Sequence, residues 1–520
     1  MKSRSTSTIL IATLVGGGLA GWWLARSSVP EEAAPVAAVK ATPAPLDDPA
    51  PRPRKLEDRK PSLVRDREAS EAGALQNQRS IRFSDRDAYE RFLAAAKGKG
   101  IAILGSIDRL NALHVGFLSL DDLNDLLDGS EESGFIFPVY LPTPATEGVQ
   151  EGAVGFGESL LSWLGITGDN SAYGSGVKIA ILDTGSTLDG ARNQFLVPPP
   201  ENPADWNGHG TAVADLIRQI APAADLYSWR VANDEGQSNS FLLAQGILAA
   251  VDAGVDVINI SMGSYGNSAI LRDAVETARE ANVLIYASGG NEGYDQLAYP
   301  AGYDGVIGVG AVDANGSYLN FSNTGNVTMT APGLDLVTAW TGGQSIYFTG
   351  TSASAPIGVG VLAAAMSQGG TRISSSQAYE KVTNNLNEAG PPGIDNFYGI
   401  GTVDLGRVLQ SGQPGITDAA IASNHVSIGN GGQTKLQVTV QNRGTTTLVN
   451  TPVEVTTPAG VSTLNITTLQ AGDIATFTLP LSFTGESAII QSRVQVTGGL
   501  NDLKPSNNRR TDVYTPPAKD

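Results

Sequence analysis

Residues 177–185 read VKIAILDTG, a short and almost unbroken apolar run that ends in Asp183, Thr184 and Gly185. Such a run is too short for a buried helix and is bounded by glycine on both sides. It reads as a strand buried on both faces, as parallel sheets require. The runs VDVINISMG (255–263), VLIYASGG (283–290) and VIGVGAV (306–312) have the same texture. Between them the chain is helical in pattern, from about residue 154 to about residue 409. The expected fold is therefore α/β, with a mostly parallel central sheet between two helical layers. In open sheets of this kind, functional groups gather at the carboxyl ends of the strands. Asp183 stands at such an end, although an Asp before Gly also serves a plain turn.

Imidazole is scarce in this chain: His114, His209 and His425 are its only histidines. His209 lies in NGHGTAVADLI (207–217), between two glycines at the start of a helical pattern. A third stretch, YFTGTSASAPIGVGVLAAAM (347–366), places Ser352 where an apolar helix begins. Serine there is a helix cap on one reading. On the other it is a nucleophile beside free N–H groups and the positive end of the helix dipole. Asp183, His209 and Ser352 together supply the groups of a Ser–His–Asp triad, in the chain order Asp–His–Ser. The G-x-S-x-G elbow of α/β-hydrolases is missing, because Ser354 occupies the second glycine position.

These segments resemble the subtilisin-like serine proteases, the subtilases. AILDTG, NGHGTAVA and GTSASAP are similar to that family's three catalytic signatures. NISMG, ASGGNEG, YPAGYDGVIGVGAV and FSNTGNVTMTAPG are similar to its further framework stretches, in the same order. The resemblance covers roughly residues 155 to 410. It implies a three-layer subtilisin-like domain and a serine endopeptidase using Asp183, His209 and Ser352 through an acyl-enzyme. It implies Asn291 as an oxyanion donor. Ser261, Met262 and Gly263, with Ser288, Gly289 and Gly290, would line the substrate pocket, left open by its glycines for a large apolar side chain. GTSAS is also similar to the sedolisins, but these replace the histidine by glutamate, and NGHGT is intact here. The chain departs from the subtilase pattern at Ser186, Ala212, Asp215 and Ala353. None of these removes a reacting group. Asp215 is a carboxylate on a helix expected to pack closely, so it needs solvent or a partner. The chemistry requires no cofactor. Subtilases often hold structural calcium through surface carboxylates and carbonyls, but no contiguous ligand pattern is found here, and the metal sites stay unknown.

The remaining sequence divides by composition. Residues 1–27 carry Lys2 and Arg4 before an apolar run and read as a signal peptide or an N-terminal membrane anchor. Residues 28–72 form a Pro-, Ala- and charge-rich linker. Residues 73–145 follow a strand–helix–strand–strand–helix–strand order, with Ser84 as a candidate helix cap. That is a ferredoxin-like α+β plan, and its place before the catalytic region (150–411) resembles the inhibitory propeptide of subtilases. The expected cleavage lies between Leu141 and Glu158. Residues 415–516 alternate with period two and read as an all-β sandwich. They resemble CARDB-type, immunoglobulin-like modules of bacterial surface proteins.

The formal net charge of -18 and the lack of a basic aromatic stripe disfavour nucleic-acid partners. Cysteine is absent, which removes disulfides, thiolate chemistry and cysteine-based metal sites. The expected partners are protein or peptide substrates, the chain's own propeptide as an intramolecular inhibitor, and a membrane met through the N-terminal segment. The expected location is exported, either secreted or anchored with the protease outside the cytoplasm. The alternative from another class is a surface-displayed adhesion protein with an inactive protease core. An esterase or peptide ligase would use the same reacting groups.

Overall fold

The structure, a computed structural model, describes residues 65–142, 149–429, 433–483 and 487–516. The N-terminal apolar segment, the linker up to residue 64 and part of the expected cleavage region (143–148) lie outside the described residues. Among the described residues no helix is long and apolar enough to cross a membrane.

The first helix, α1 (Arg67–Glu71), already lies inside the stretch that composition assigns to the linker. Its N-cap Asp66 accepts from Ala69 N at 3.1 Å and forms a buried ion pair with Arg79 at 2.5 Å. A distant arginine on the following strand thus fixes a segment whose composition looks extended. Next come β1 (Gln78–Arg82), α2 (Arg86–Ala96), β2 (Ile101–Ile107), β3 (Ala112–Phe117), α3 (Leu120–Asn124) and β4 (Glu132–Phe135). The four strands form an antiparallel sheet in the order β2-β3-β1-β4. The cap of α2 is Asp85, whose side chain accepts from Ala88 N at 2.8 Å. Ser84, the expected cap, instead donates its hydroxyl to Asp85. The expected last strand is split: β5 (Pro138–Tyr140) leaves this sheet and pairs antiparallel with Gln237–Asn239 in the next part of the chain.

That part begins with α4 (Leu160–Trp163), β6 (Lys178–Asp183), β7 (Arg192–Phe195), α5 (His209–Ile220), β8 (Asp225–Arg230), β9 (Gln237–Asn239) and α6 (Ser240–Asp252). It continues with β10 (Val257–Ile260), α7 (Ala269–Glu280), β11 (Leu284–Ser288), β12 (Val306–Val312) and β13 (Met329–Pro332). The hairpin β14 (Leu336–Ala339) and β15 (Ser345–Phe348) leads to α8 (Thr351–Ser367), α9 (Ser375–Thr383) and α10 (Leu405–Gln410). Seven strands pair in parallel in the order β13-β12-β11-β10-β6-β8-β7. Alternation along β6 explains the layers. Ile179 and Ile181 enter the core shared with α5 and α8, while Ala180 and Leu182 enter the core shared with α6 and α7. Helix α8 is buried from Thr351 to Met366, as an all-apolar helix must be. A Cβ on Gly360 would come within 2.9 Å of the Ile220 Cβ, so the glycine lets α8 close on α5.

The last part has the strands β16 (Ala419–Ile428), β17 (Thr434–Asn442), β18 (Leu448–Thr457), β19 (Gly460–Leu469), β20 (Ile474–Pro480), β21 (Ala488–Val494) and β22 (Arg509–Tyr514). They form two antiparallel sheets, β16-β17-β20 and β19-β18-β21-β22, around one apolar core. This part is bonded to the parallel-sheet part through buried groups. Gln441 accepts from Glu388 N at 3.0 Å and donates to the Leu386 carbonyl at 3.0 Å. The buried Arg407 donates to that same carbonyl and to the Arg443 carbonyl at 3.3 Å, and burial pulls its pKa down to about 10. Replacing Gln441 by Leu would leave the buried Glu388 N–H unpaired and the Leu386 carbonyl with Arg407 as its remaining donor, at about 1–3 kcal/mol for such a loss. Urea denaturation of Gln441→Leu should show a midpoint clearly below that of the parent; an unchanged midpoint would mean this contact does not hold the two parts together.

Candidate active site

Asp183 closes β6 at the carboxyl edge of the sheet and is fully buried. A buried carboxylate is costly unless it is paired and hydrogen-bonded. Here it accepts from Thr184 N at 2.8 Å, and both of its oxygens lie 2.9 Å from His209 Nδ1. His209 opens α5, and its backbone N–H donates to Asn207 Oδ1 at 2.9 Å. Its ring meets Phe348 edge-on, with centroids 5.3 Å apart. The two glycines beside His209 serve packing more than access. A Cβ on Gly210 would lie 2.2 Å from the Gly185 carbonyl oxygen, and one on Gly208 would collide with the Trp340 ring. Gly210 is needed for α5 to start this close to the Asp183 turn, and Gly208 makes room for Trp340.

Ser352 is the second residue of α8 and is 3% exposed. Its Oγ donates to the Ser261 carbonyl at 3.3 Å, long for an O–H···O bond, and no hydrogen bond joins it to His209 among the described residues. The structure therefore brings Asp183 and His209 into direct contact and leaves the Ser352 hydroxyl turned aside. Catalytic bonds of this kind are commonly loose before a substrate is bound.

Pro356 lies four residues after Ser352 and has no N–H, so it cannot supply the usual helical bond to the Ser352 carbonyl. The Ser261 hydroxyl fills that role at 3.0 Å and is itself held by Asn259 Nδ2 at 3.0 Å. Ser261 and Met262 are fully buried, and the Met262 side chain belongs to the core under α6 and α7. Expected as lining of a substrate pocket, these two side chains support the site from behind; strand geometry puts alternate residues inward, and here both faces are covered.

Asn291 lies beside the start of α8. Its Oδ1 accepts from both the N–H of Thr351 (2.9 Å) and the Thr351 hydroxyl (2.8 Å). Thr351 Oγ1 also accepts from Gly290 N at 3.1 Å. A Cβ on Gly350 would come within 2.8 Å of Asn291 Nδ2, and Gly350 has φ +137°. Only glycine suits that position, and it keeps the space in front of the Asn291 amide. Thr351 carries an orienting role that the sequence shows only as one more hydroxyl in a cap-like cluster.

Gly263 faces a cleft of about 420 Å³, which Ser288 and Gly290 also line. Tyr140 and Gly263 exchange backbone bonds, N to O, at 3.0 Å each way. Leu141 N donates to the Gly236 carbonyl at 3.0 Å. The strand β5 thus lies between two edges, antiparallel to both. The cleft carries a charged group among its lining residues. Glu292 projects a carboxylate that accepts from Asn291 N at 2.9 Å and from the Tyr265 hydroxyl. Burial and the Glu292 carboxylate both push the Tyr265 phenol well above its ordinary range.

Asp215 finds its partners on β14, accepting from Ala339 N at 2.9 Å and Thr338 Oγ1 at 3.0 Å. His114 is buried in the four-stranded part, bonded to Gln78 Oε1 at 2.7 Å, and burial lowers its pKa to about 4. His425 lies in the last part, and burial lowers its pKa while the nearby Asp395 opposes that shift. Neither touches the Asp183–His209 pair. Among the described residues no group of three or more His, Asp or Glu is placed to hold a metal ion.

The subtilase family model matches residues 174–401. A thermostable alkaline protease of Halalkalibacterium halodurans is 33% identical over 252 residues, covering 46% of this chain and 69% of that protein. Subtilisin BL of Lederbergia lenta is 35% identical over 246 residues, 44% of this chain and 90% of that protein. M-protease of Shouchella clausii is 36% identical over 246 residues, with 44% and 63% covered. The chain belongs to the subtilase family and is a subtilisin-like serine protease, a hydrolase acting on proteins or peptides. The four-stranded part and the last two sheets lie outside the stretch matched by the family model.

The back of the nucleophile's helix gives a direct test. Ser261→Ala would leave the Ser352 carbonyl without a partner, at a cost of about 1–3 kcal/mol. Thermal unfolding should move to lower temperature, and Ser261→Thr, which keeps the hydroxyl, should recover part of the loss. Equal melting of Ser261→Ala and the parent would contradict the assignment.

Proposed function

We propose that the protein is a serine endopeptidase in which Asp183, His209 and Ser352 act as a triad. Ser352 Oγ leaves the Ser261 carbonyl, turns to His209 Nε2 and attacks the scissile carbonyl carbon. His209 takes the hydroxyl proton as general base and passes it to the leaving amine as general acid. Asp183 holds the imidazole tautomer and stabilises the imidazolium. The oxyanion accepts from the Asn291 side-chain amide and the Ser352 N–H; the loss of one such donor costs about 10²–10³ in turnover, a figure the family itself supplied. Water then cleaves the acyl-enzyme by the same proton route in reverse.

The observation that carries this reading is the threading of β5 between Gly263 and β9. It displays a peptide backbone held as the middle strand of three, which is how a cleaved polypeptide would lie. Residues 73–145, with their ferredoxin-like strand order, would act as an intramolecular inhibitor, released after cleavage between Leu141 and Glu158. The N-terminal apolar segment would direct export, leaving the protease secreted or anchored outside the cytoplasm. Residues 415–516 would serve as an immunoglobulin-like module of the CARDB type that presents large substrates and contributes no reacting group. No metal is required for the chemistry.

Two measurements test this. A fluorophosphonate should label the purified protein at Ser352, and His209→Ala should abolish labelling; modification of another serine would overturn the assignment. Expressed Ser352→Ala should accumulate as the uncleaved precursor, whereas normal maturation of that variant would mean another protease performs the cut.

A further inference from the structure

Arg230 closes β8 and faces Asp183 across the parallel pair β6–β8. Its side chain is 1% exposed, yet no step above uses it. Nη1 donates to the Thr184 carbonyl at 2.6 Å, directly after Asp183. Nη1 and Nη2 together grip the Asp234 carboxylate at 3.1 and 2.7 Å. Nε donates to the Pro198 carbonyl at 3.1 Å, and the guanidinium lies 5.4 Å from the Trp206 ring centroid. Asp234 in turn accepts from Asn207 N at 2.9 Å, while Asn207 Nδ2 donates to the Asp234 carbonyl at 2.9 Å. Asn207 Oδ1 is the acceptor for His209 N. Thr184 Oγ1 closes the ring, donating to the Asn207 carbonyl at 3.1 Å and accepting from Gly210 N at 3.1 Å.

One guanidinium therefore ties the turn after Asp183 and the Pro198 segment to Asp234 in the loop that starts at Asn233, and Asp234 carries the link on to Asn207 in the turn before His209. That loop is folded on itself by Asn233 N to the Gln237 carbonyl at 3.0 Å and Gly236 N to the Asn233 carbonyl at 3.1 Å. Its Gly236 carbonyl is the acceptor for Leu141 N, the bond that seats the strand in the cleft. A planar fork with several donors in fixed directions can serve several acceptors at once, whereas an ammonium is a point charge on a flexible stem.

We propose that Arg230, with Asp234, is a positioning residue that couples the peptide-binding edge at Gly236 to the Asp183–His209 pair. It touches neither substrate nor reacting atoms. Occupation of the Gly236 edge by a peptide strand fixes the loop, the loop fixes Asp234, and Asp234 and Arg230 fix the two turns that aim the imidazole. The proposal rests on the triad reading above. Its consequence is that extending a substrate along this edge raises turnover as well as affinity, because remote contacts are converted into alignment.

The test uses the full chain, matured where it matures, with rates expressed per active site titrated by a fluorophosphonate. Arg230→Met, Arg230→Lys and Asp234→Asn are compared on two substrates: a single amino-acid ester that stops at the scissile residue, and a tetrapeptide amide that reaches the edge. Arg230→Met should lower kcat on both substrates by about 10- to 100-fold, the scale of a small misalignment. It should also shrink the gain in kcat/KM from ester to tetrapeptide. Arg230→Lys should recover only a small part of the kcat, because an ammonium cannot serve all these acceptors at once, and Asp234→Asn should reduce the gain in the same direction. A merely structural role would lower the number of titratable sites and leave the rate per site and the gain intact. Unchanged per-site kcat and an unchanged gain in both Arg230→Met and Asp234→Asn would overturn the proposal. Failure of the parent protein to be labelled at Ser352 is a different result and would overturn the triad reading itself.

Discussion

The bond between the buried Asp183 carboxylate and His209 Nδ1 constrains everything around it. A carboxylate with no exposure at all at a sheet edge has to be met by donors, and the strongest available is an imidazole N–H placed at 2.9 Å. To bring it there, α5 must start against the turn that follows β6. That approach excludes a side chain at position 210, while the Trp340 ring excludes one at position 208, so glycine flanks the histidine on both sides. The parallel sheet supplies the frame, since its strand ends are where a turn can present a side chain while helices cover both faces.

The second constraint is the start of α8. The helix is apolar from Ala355 to Met366 and lies inside the protein, so its polar entry at Thr351–Ser354 has to be satisfied locally. Thr351 answers to Asn291 and Gly290, and Ser261 answers to the carbonyl that Pro356 leaves without a helical partner. These contacts fix where the Ser352 oxygen and the Asn291 amide can stand. Rigid elements hold the site, and the remaining freedom is in the Ser352 hydroxyl, which now donates to the Ser261 carbonyl.

The parallel sheet was legible because its strands are continuous apolar runs, such as VKIAIL and VIGVGAV, the first of them ending in Asp183. Asp183 and His209 could be paired from the sequence through the scarcity of histidine and the family's signatures. Other features were not legible, because they depend on partners far along the chain. Nothing local marks Asp66 as the mate of Arg79, so the end of the linker hides a capped helix. The strand expected over FIFPVYLP (135–142) is divided because its second half finds the edge at Gln237–Asn239 instead of its own sheet. Ser261 looked like pocket lining, since pattern alone does not say that a proline in another helix needs its hydroxyl. Glu292 directly follows Asn291, and its carboxylate in the cleft is a product of how the Gly289–Gly290 turn projects it. Arg230 resembles any strand-end arginine until Asp234 and Thr184 are brought to it in three dimensions.

The account stands on Asp183 acting through His209 and not merely filling a turn. The most direct measurement is kcat on a short peptide for Asp183→Asn matured in trans by the parent enzyme; the introduced amide keeps the shape of the carboxylate but reverses the hydrogen bond available to Nδ1. A fall on the order of 10⁴, with the fold intact by circular dichroism, is what the account predicts, because the imidazole would be held in the wrong tautomer. Turnover close to that of the parent would contradict it.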